Sequence, residues 1–171
     1  RESLELYRSA LRTPGGEQLR AYNGVYLASW KLKRRDEAMQ AYARIVDYGL
    51  ANRHLSVKFL FRPGSTQFWA DPQISGPYPL WLNQIAQRSA HSKACLEIIG
   101  HTSRSGPEPL NERLSVLRAQ AIKDRLEAVA AELAKRTIAS GVGSRENLVG
   151  TGADDASDAL DRRVEFKVIG C

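Results

Sequence analysis

Cysteine is scarce in this sequence: 171 residues carry two, Cys95 and Cys171. Neither stands at metal-ligand spacing from any of the three histidines, which argues against a zinc site. The pair reads either as two free thiols or as one disulfide. Long apolar runs are missing as well. No stretch reaches the roughly 18 consecutive apolar residues of a membrane-crossing helix, so no part of this chain is expected to span a bilayer as one. Nucleophile–base pairs at motif spacing are also missing, and with them the ordinary grounds for reading an enzyme. No catalytic residue, metal site or cofactor is therefore predicted. The chain opens on Arg1 rather than Met and has no apolar leader. It reads as a mature or shortened form, with any signal, lipid anchor or membrane segment lying upstream.

Basic residues exceed acidic ones, 25 Lys and Arg against 19 Asp and Glu, for a net charge of +6. Such a surface suits anionic partners in general. The densest basic run, Lys31 to Arg35, reads as a solvated turn between helices. No aromatic ladder or nucleic-acid motif accompanies it, so nucleic acid is not an expected partner.

Periodicity divides the chain near residue 52. Before it, apolar spacing predicts three helices, over about 2–11, 22–32 and 37–48. Pro14-Gly15-Gly16 separates the first from the other two, Asp36 is a candidate cap, and Gly49 a candidate stop. Residues 21–45 resemble one tetratricopeptide repeat, with Gly24, Ala28 and Ala38 where two helices must pack closely and Tyr42 at the aromatic position. One such hairpin cannot bury its own face, so it must pack on something. After residue 52 the pattern changes. Val57, Phe59 and Phe61 alternate as in a strand. A Pro- and Gly-rich loop follows, then a helix over 80–88 and a strand at Leu96–Ile99. A long helix over 110–135 has apolar positions Leu110, Leu114, Leu117, Ile122, Leu126, Val129 and Leu133. Leu148-Val149 reads as a short strand, and Val164, Phe166 and Val168 as the last one. The order β-α-β-α-β-β argues for an α+β fold, helices packed on one mixed four-stranded sheet. The expected domains are a helical segment, 1–52, and an α+β domain, 53–171.

The most specific signal lies in Ile98-Ile-Gly-His-Thr-Ser-Arg-Ser-Gly106, Asn111-Glu-Arg-Leu-Ser-Val-Leu-Arg-Ala119, Gly150-Thr-Gly152 and Asp161-Arg-Arg-Val-Glu-Phe166. In residues and separations this set resembles the OmpA-like domain family, over about 55–169. The resemblance implies a periplasmic module of a Gram-negative cell envelope, associated with the outer membrane through an upstream region. Its partner would be peptidoglycan, and its function non-covalent anchoring of an envelope protein to the cell wall.

Family members grip the peptide stem, often through diaminopimelate, which offers a carboxylate beside an ammonium. An arginine fork suits the carboxylate and an acid suits the ammonium. Asn111, Leu114 and Arg118 share one helix stripe, and by resemblance Arg118 takes the ligand carboxylate. Its alternative role is a structural arginine that pairs with a nearby acid and orders the turn. Thr102, Ser103 and Gly106 would form the facing turn, with Arg162 a further candidate. Ser103 stands where the family has aspartate, so the acid half of the receptor is missing. Asp154 or Asp155 could replace it, the ligand could differ, or the scaffold could serve as a protein–protein adaptor. In that alternative a protein partner binds through the N-terminal helices. Asp161 reads as a salt-bridge partner, and His101 as a strand-end histidine satisfied by backbone.

Overall fold

The computed structural model describes residues 1–12, 19–153 and 155–171. Pro14, Gly15, Gly16 and Asp154 lie outside the described residues. Three helices open the chain: α1 (Glu2–Arg12), α2 (Leu19–Lys31) and α3 (Arg35–Ala51). Arg34, not Asp36, precedes α3 and makes no side-chain cap. Asp36 lies in the first turn, where a carboxylate complements the helix dipole. Gly49 does not stop α3, which runs two residues further. It is a packing point instead, since a Cβ there would lie 3.0 Å from the His54 carbonyl oxygen. Gly24 serves α1 and α2 in the same way, because a Cβ would meet the Tyr7 ring at 2.3 Å.

The remaining elements are β1 (Phe59–Leu60), α4 (Pro72–Ser75), α5 (Tyr78–Ser92), β2 (Cys95–Gly100), α6 (Glu108–Val129), β3 (Thr137–Gly141) and β4 (Arg163–Ile169). The sheet order is β1-β4-β2-β3. β2 runs parallel to β3, and β4 is antiparallel to both β1 and β2. This is a mixed four-stranded sheet with helices packed on it, the α+β architecture that the sequence predicts.

Three expectations are corrected. The third strand is Thr137–Gly141 and not Leu148-Val149. The amides of Leu148 and Val149 are taken by the Asp161 carboxylate, at 2.5 and 3.0 Å, and both side chains are exposed. The long helix ends at Val129, where Ala130 turns extended (φ −139°) and a 3-10 segment follows. Its buried positions include Ile122 and Leu126, while Leu110, Leu117 and Val129 face solvent.

The core is continuous from the helical hairpin into the sheet. Tyr42 of α3 stacks on Trp81 of α5 at 5.7 Å, and Trp81 Nε1 donates to the Tyr26 hydroxyl at 2.6 Å. Phe59 meets Tyr78, Trp81 and Phe166 edge-on. Fully burying such a ring contributes about 1.5–3 kcal/mol. At the far end of the sheet, Cys95 pairs with Ile169 across β2 and β4. This brings Cys171 alongside, and the two cysteines form a disulfide with Cα atoms 5.5 Å apart.

Candidate functional site

The end of β2 and the start of α6 must approach closely, and the sequence permits it. A Cβ on Gly100 would lie 1.7 Å from the Ser115 carbonyl oxygen of α6, so only glycine fits there. The chain then leaves the sheet through residues 101–107. Amide bonds from His101 to the Arg163 carbonyl (2.8 Å) and from Thr102 to the Gly143 carbonyl (2.9 Å) hold the turn. Gly106 takes a φ of +71°, which favours glycine, and delivers the chain to α6.

Between this turn and α6 lies a cleft of about 210 Å³. Thr102, Ser103, Gly106, Asn111, Leu114 and Arg118 all line it, with Gly64, Ser105, Pro107 and Leu110. Six of the seven predicted ligand residues therefore meet in one place. Arg162 is the seventh and is not among the lining residues. It is fully buried beside β1, its Nε donates to the Phe61 carbonyl at 3.1 Å, and its guanidinium lies 5.1 Å from the Trp69 ring centroid. It braces the sheet edge. Larger hollows exist, between α1, α3 and α5 and beside the disulfide, but they gather none of these residues.

Arg118 is fully buried at the base of the cleft. Its partners among the carbonyls are Ser65 (Nε, 2.9 Å), His101 (Nη1, 3.0 Å) and Arg62 (Nη2, 2.9 Å). Among the described residues, backbone oxygens thus meet the structural half of its expected role. One guanidinium ties together α6, the loop after β1 and the turn after β2, and it places a positive charge under the cleft.

The Thr102 hydroxyl is buried and has no hydrogen-bond partner among the described residues. Ser103 is buried beside it, with its Oγ 3.3 Å from Ser105 Oγ. Asn111 lies in the first turn of α6 and donates, at 3.4 Å, to Glu108 Oε2. Glu108 is otherwise held by Ser144, through its amide at 2.9 Å and its hydroxyl at 2.5 Å. The Ser144 hydroxyl, its amide and then Asn111 hold the Glu108 carboxyl below its ordinary pKa. The cleft therefore presents hydroxyls, an amide, a buried cation and the positive end of a 22-residue helix. Its chemistry suits an anionic or carbonyl-rich ligand with a small apolar part set on Leu110 and Leu114.

Of the two proposed substitutes for the missing acid, Asp154 lies outside the described residues, and Asp155 is not among the residues that line the cleft. Asp155 caps the following 3-10 segment by accepting from the Ser157 amide at 2.9 Å. Among the described residues Asp161 makes no ion pair with an arginine. It accepts three amides, from Leu148, Val149 and Gly150. His101 is also corrected. Both ring nitrogens are buried without a hydrogen-bond partner among the described residues, and the closest acid atom is Glu165 Oε2 at 3.9 Å. Burial, and then the charge of Arg163, lower its pKa to about 4, so the ring is neutral.

Sequence reasoning missed Gly64, Ser105, Pro107 and Leu110. Leu110 carried a readable signal, being one helical turn before Leu114 at the start of α6. Among the described residues no group of three or more His, Cys, Asp and Glu could hold a metal, and no helix is long and apolar enough to cross a membrane.

Residues 60–160 match the model of the OmpA family. Among solved structures, the chain is similar to the peptidoglycan-associated lipoprotein from Burkholderia pseudomallei. Identity is 24% and the TM-score 0.55, over 67% of this chain and 92% of that one. It is also similar to an outer membrane protein from Borrelia burgdorferi B31, at 25% identity and a TM-score of 0.49, over 67% and 86% of the two chains. The cell wall anchor of the T6SS from Pseudomonas aeruginosa matches at 29% identity and a TM-score of 0.48, over 66% and 76%. The first of these shares the fold described above. No curated protein sequence matches the chain.

Proposed function

The chain belongs to the OmpA family, and from that premise we propose that its cleft holds a peptidoglycan stem peptide, so that the protein fastens an envelope assembly to the cell wall from the periplasm. One observation carries this reading: the Thr102 hydroxyl is buried at the cleft with no hydrogen-bond partner among the described residues. A buried group left unpaired costs about 1–3 kcal/mol, and a ligand carboxylate or carbonyl recovers that energy. Arg118 supplies the attracting charge from beneath and fixes the walls. Asn111 and Ser103 offer further polar atoms, Gly106 leaves the rim open, and Leu114 packs the aliphatic part of the stem. The family is one of binding and anchoring modules, and no residue of this cleft is assigned a catalytic role. Residues 53–171 form the wall-binding domain in this reading, and residues 1–52 an attached tetratricopeptide-like segment.

Co-sedimentation with purified diaminopimelate-type peptidoglycan tests it. The protein pellets with the wall and is released by an excess of soluble stem peptide. Protein that stays in the supernatant at low salt contradicts the proposal.

A second reading has its own observation. Leu6 of α1 and Leu27 of α2 stand 71% and 57% exposed, which favours a protein partner on the helical segment. Leu27→Asp then abolishes capture of that partner while wall binding persists.

A further inference from the structure

Among the described residues β3 ends the sheet and has a strand, β2, on one side only. The Leu96 amide donates to the Arg136 carbonyl, and the Val142 amide to the Gly100 carbonyl, so residues 136 and 142 turn toward β2. Alternation then turns the amides and carbonyls of Thr137, Ala139 and Gly141 outward. Of these, the Thr137 carbonyl accepts from Lys123 Nζ at 2.9 Å. Sheets guard such an edge with lysine, proline or an inward charge, and Thr-Ile-Ala-Ser-Gly has none of them. Val116 and Leu117 of α6 and Ile138 of β3 are exposed beside it. A groove of about 590 Å³ at the end of the strand is lined by Glu112, Arg113, Val116, Leu117, Gly141 and Arg145.

We infer that this edge takes a second copy of the chain, the two β3 strands pairing antiparallel about a two-fold axis at Ala139. In that register Ala139 meets Ala139 of the second copy and Thr137 meets Gly141, so each outward amide finds a carbonyl. The Thr137 carbonyl has a second lone pair for this. The helices follow. A Cβ on Gly100 of β2 would meet the Ser115 carbonyl, and one on its β3 neighbour Gly141 would meet the Ser115 hydroxyl and the Val116 amide, so α6 lies across both strands. With strands about 4.8 Å apart, the two α6 helices come to lie about 10 Å apart, close to the distance of packed helices. The axis passes α6 between Val116, beside Gly141, and Lys123, beside Thr137. Antiparallel helices then set one end against the other. Glu112, Arg113 and Arg145 stand at one end, two cations and an acid, and Lys123, Asp124 and Glu127 at the other, two acids and a cation. The helical count puts Arg113 across from Glu127, which already pairs with Lys123 at 2.8 Å. Leu114 and Arg118 lie on the other flank of α6, toward Arg62 and Ser65. Both clefts stay open, and the pairing is independent of what they hold.

Sedimentation velocity of the whole chain, run from dilute to concentrated solution, tests the inference. The wild type is expected to pass from monomer to dimer as concentration rises. Ala139→Pro removes an amide that faces away from β2, and proline is tolerated on an edge strand with its nitrogen outward. This variant is expected to melt near the wild type and to stay monomeric where the wild type is dimeric. Arg113→Glu is expected to weaken the dimer about tenfold, and adding Glu127→Arg to restore it. A wild type that is monomeric throughout overturns the inference. A folded Ala139→Pro that dimerises like the wild type overturns it equally. Should Ala139→Pro unfold, the charge variants decide, and a dimer that Arg113→Glu leaves unchanged sinks the pairing.

Discussion

Arg118 Nη1 donates to the carbonyl of His101 at 3.0 Å, and this bond joins α6 to the residue that immediately precedes Thr102. Two further carbonyls, from Arg62 and Ser65, accept from the same guanidinium. Site and scaffold therefore share one side chain. Arg118→Lys keeps the charge but replaces a planar fork with a single point donor, so buried carbonyls are left without partners. A loss of about 2–4 kcal/mol is expected, read as a lower urea midpoint at unchanged slope, with ligand affinity falling as well.

His101 makes stability pH-dependent in a stated direction. Its folded pKa, lowered from 6.5 to about 4 by burial and Arg163, means that the unfolded chain binds this proton first. Its contribution is complete above about pH 6.5, is lost as pH falls toward 4, and is level below that. The shift corresponds to about 3 kcal/mol at most. The difference in unfolding free energy between wild type and His101→Gln, measured at pH 7, 5 and 4, should narrow or invert by that order as pH falls. A constant difference contradicts the assignment.

The Cys95–Cys171 bond closes a sequence separation of 76. In the chain-entropy treatment, removing it costs about 4 kcal/mol. The bond sits at the opposite end of β2 from the cleft, about 20 Å away by strand rise. The double variant Cys95→Ser with Cys171→Ser should therefore melt well below the wild type yet bind the same ligand with unchanged affinity at a temperature where both are folded.

Asp161 organises the segment that sequence reading took for a strand. Its two carboxylate oxygens accept the amides of Leu148, Val149 and Gly150, between 2.5 and 3.0 Å. Asp161→Ala leaves three donors unpaired and should cost about 2–4 kcal/mol. Amide exchange should accelerate first at residues 148–150.

What the sequence made legible follows from where its information is local. The hydrophobic runs of β2 and β4 are legible within each strand by itself, and the motif at 98–119 folds within a few residues, so their places could be read directly. So could the convergence of Thr102, Ser103, Asn111, Leu114 and Arg118, because a turn and a helix start lie next to each other along the chain. β3 escaped notice because Thr-Ile-Ala-Ser-Gly at a sheet edge is half-exposed and carries little apolar alternation. Leu148-Val149 misled because a side-chain carboxylate, not a partner strand, satisfies its backbone. Neighbouring residues of an extended chain point to opposite faces, so Arg162 and Arg163 part company, but alternation alone does not say which face holds a ligand. The structure lays Arg162 against Phe61 and Trp69. Arg163 instead reaches the carbonyls of Leu160 and Glu146, at 3.2 and 3.1 Å.

The central claim rests on a buried hydroxyl with no hydrogen-bond partner among the described residues, and Thr102→Val addresses it most directly. The substitution keeps the shape and removes the buried, unsatisfied oxygen. Thermal unfolding and calorimetric titration with a stem peptide, run on the same samples, separate the two roles of that oxygen. The account predicts a melting temperature equal to or above that of the wild type, together with affinity lower by about tenfold. Unchanged affinity, or a loss of stability in step with any loss of binding, would contradict it.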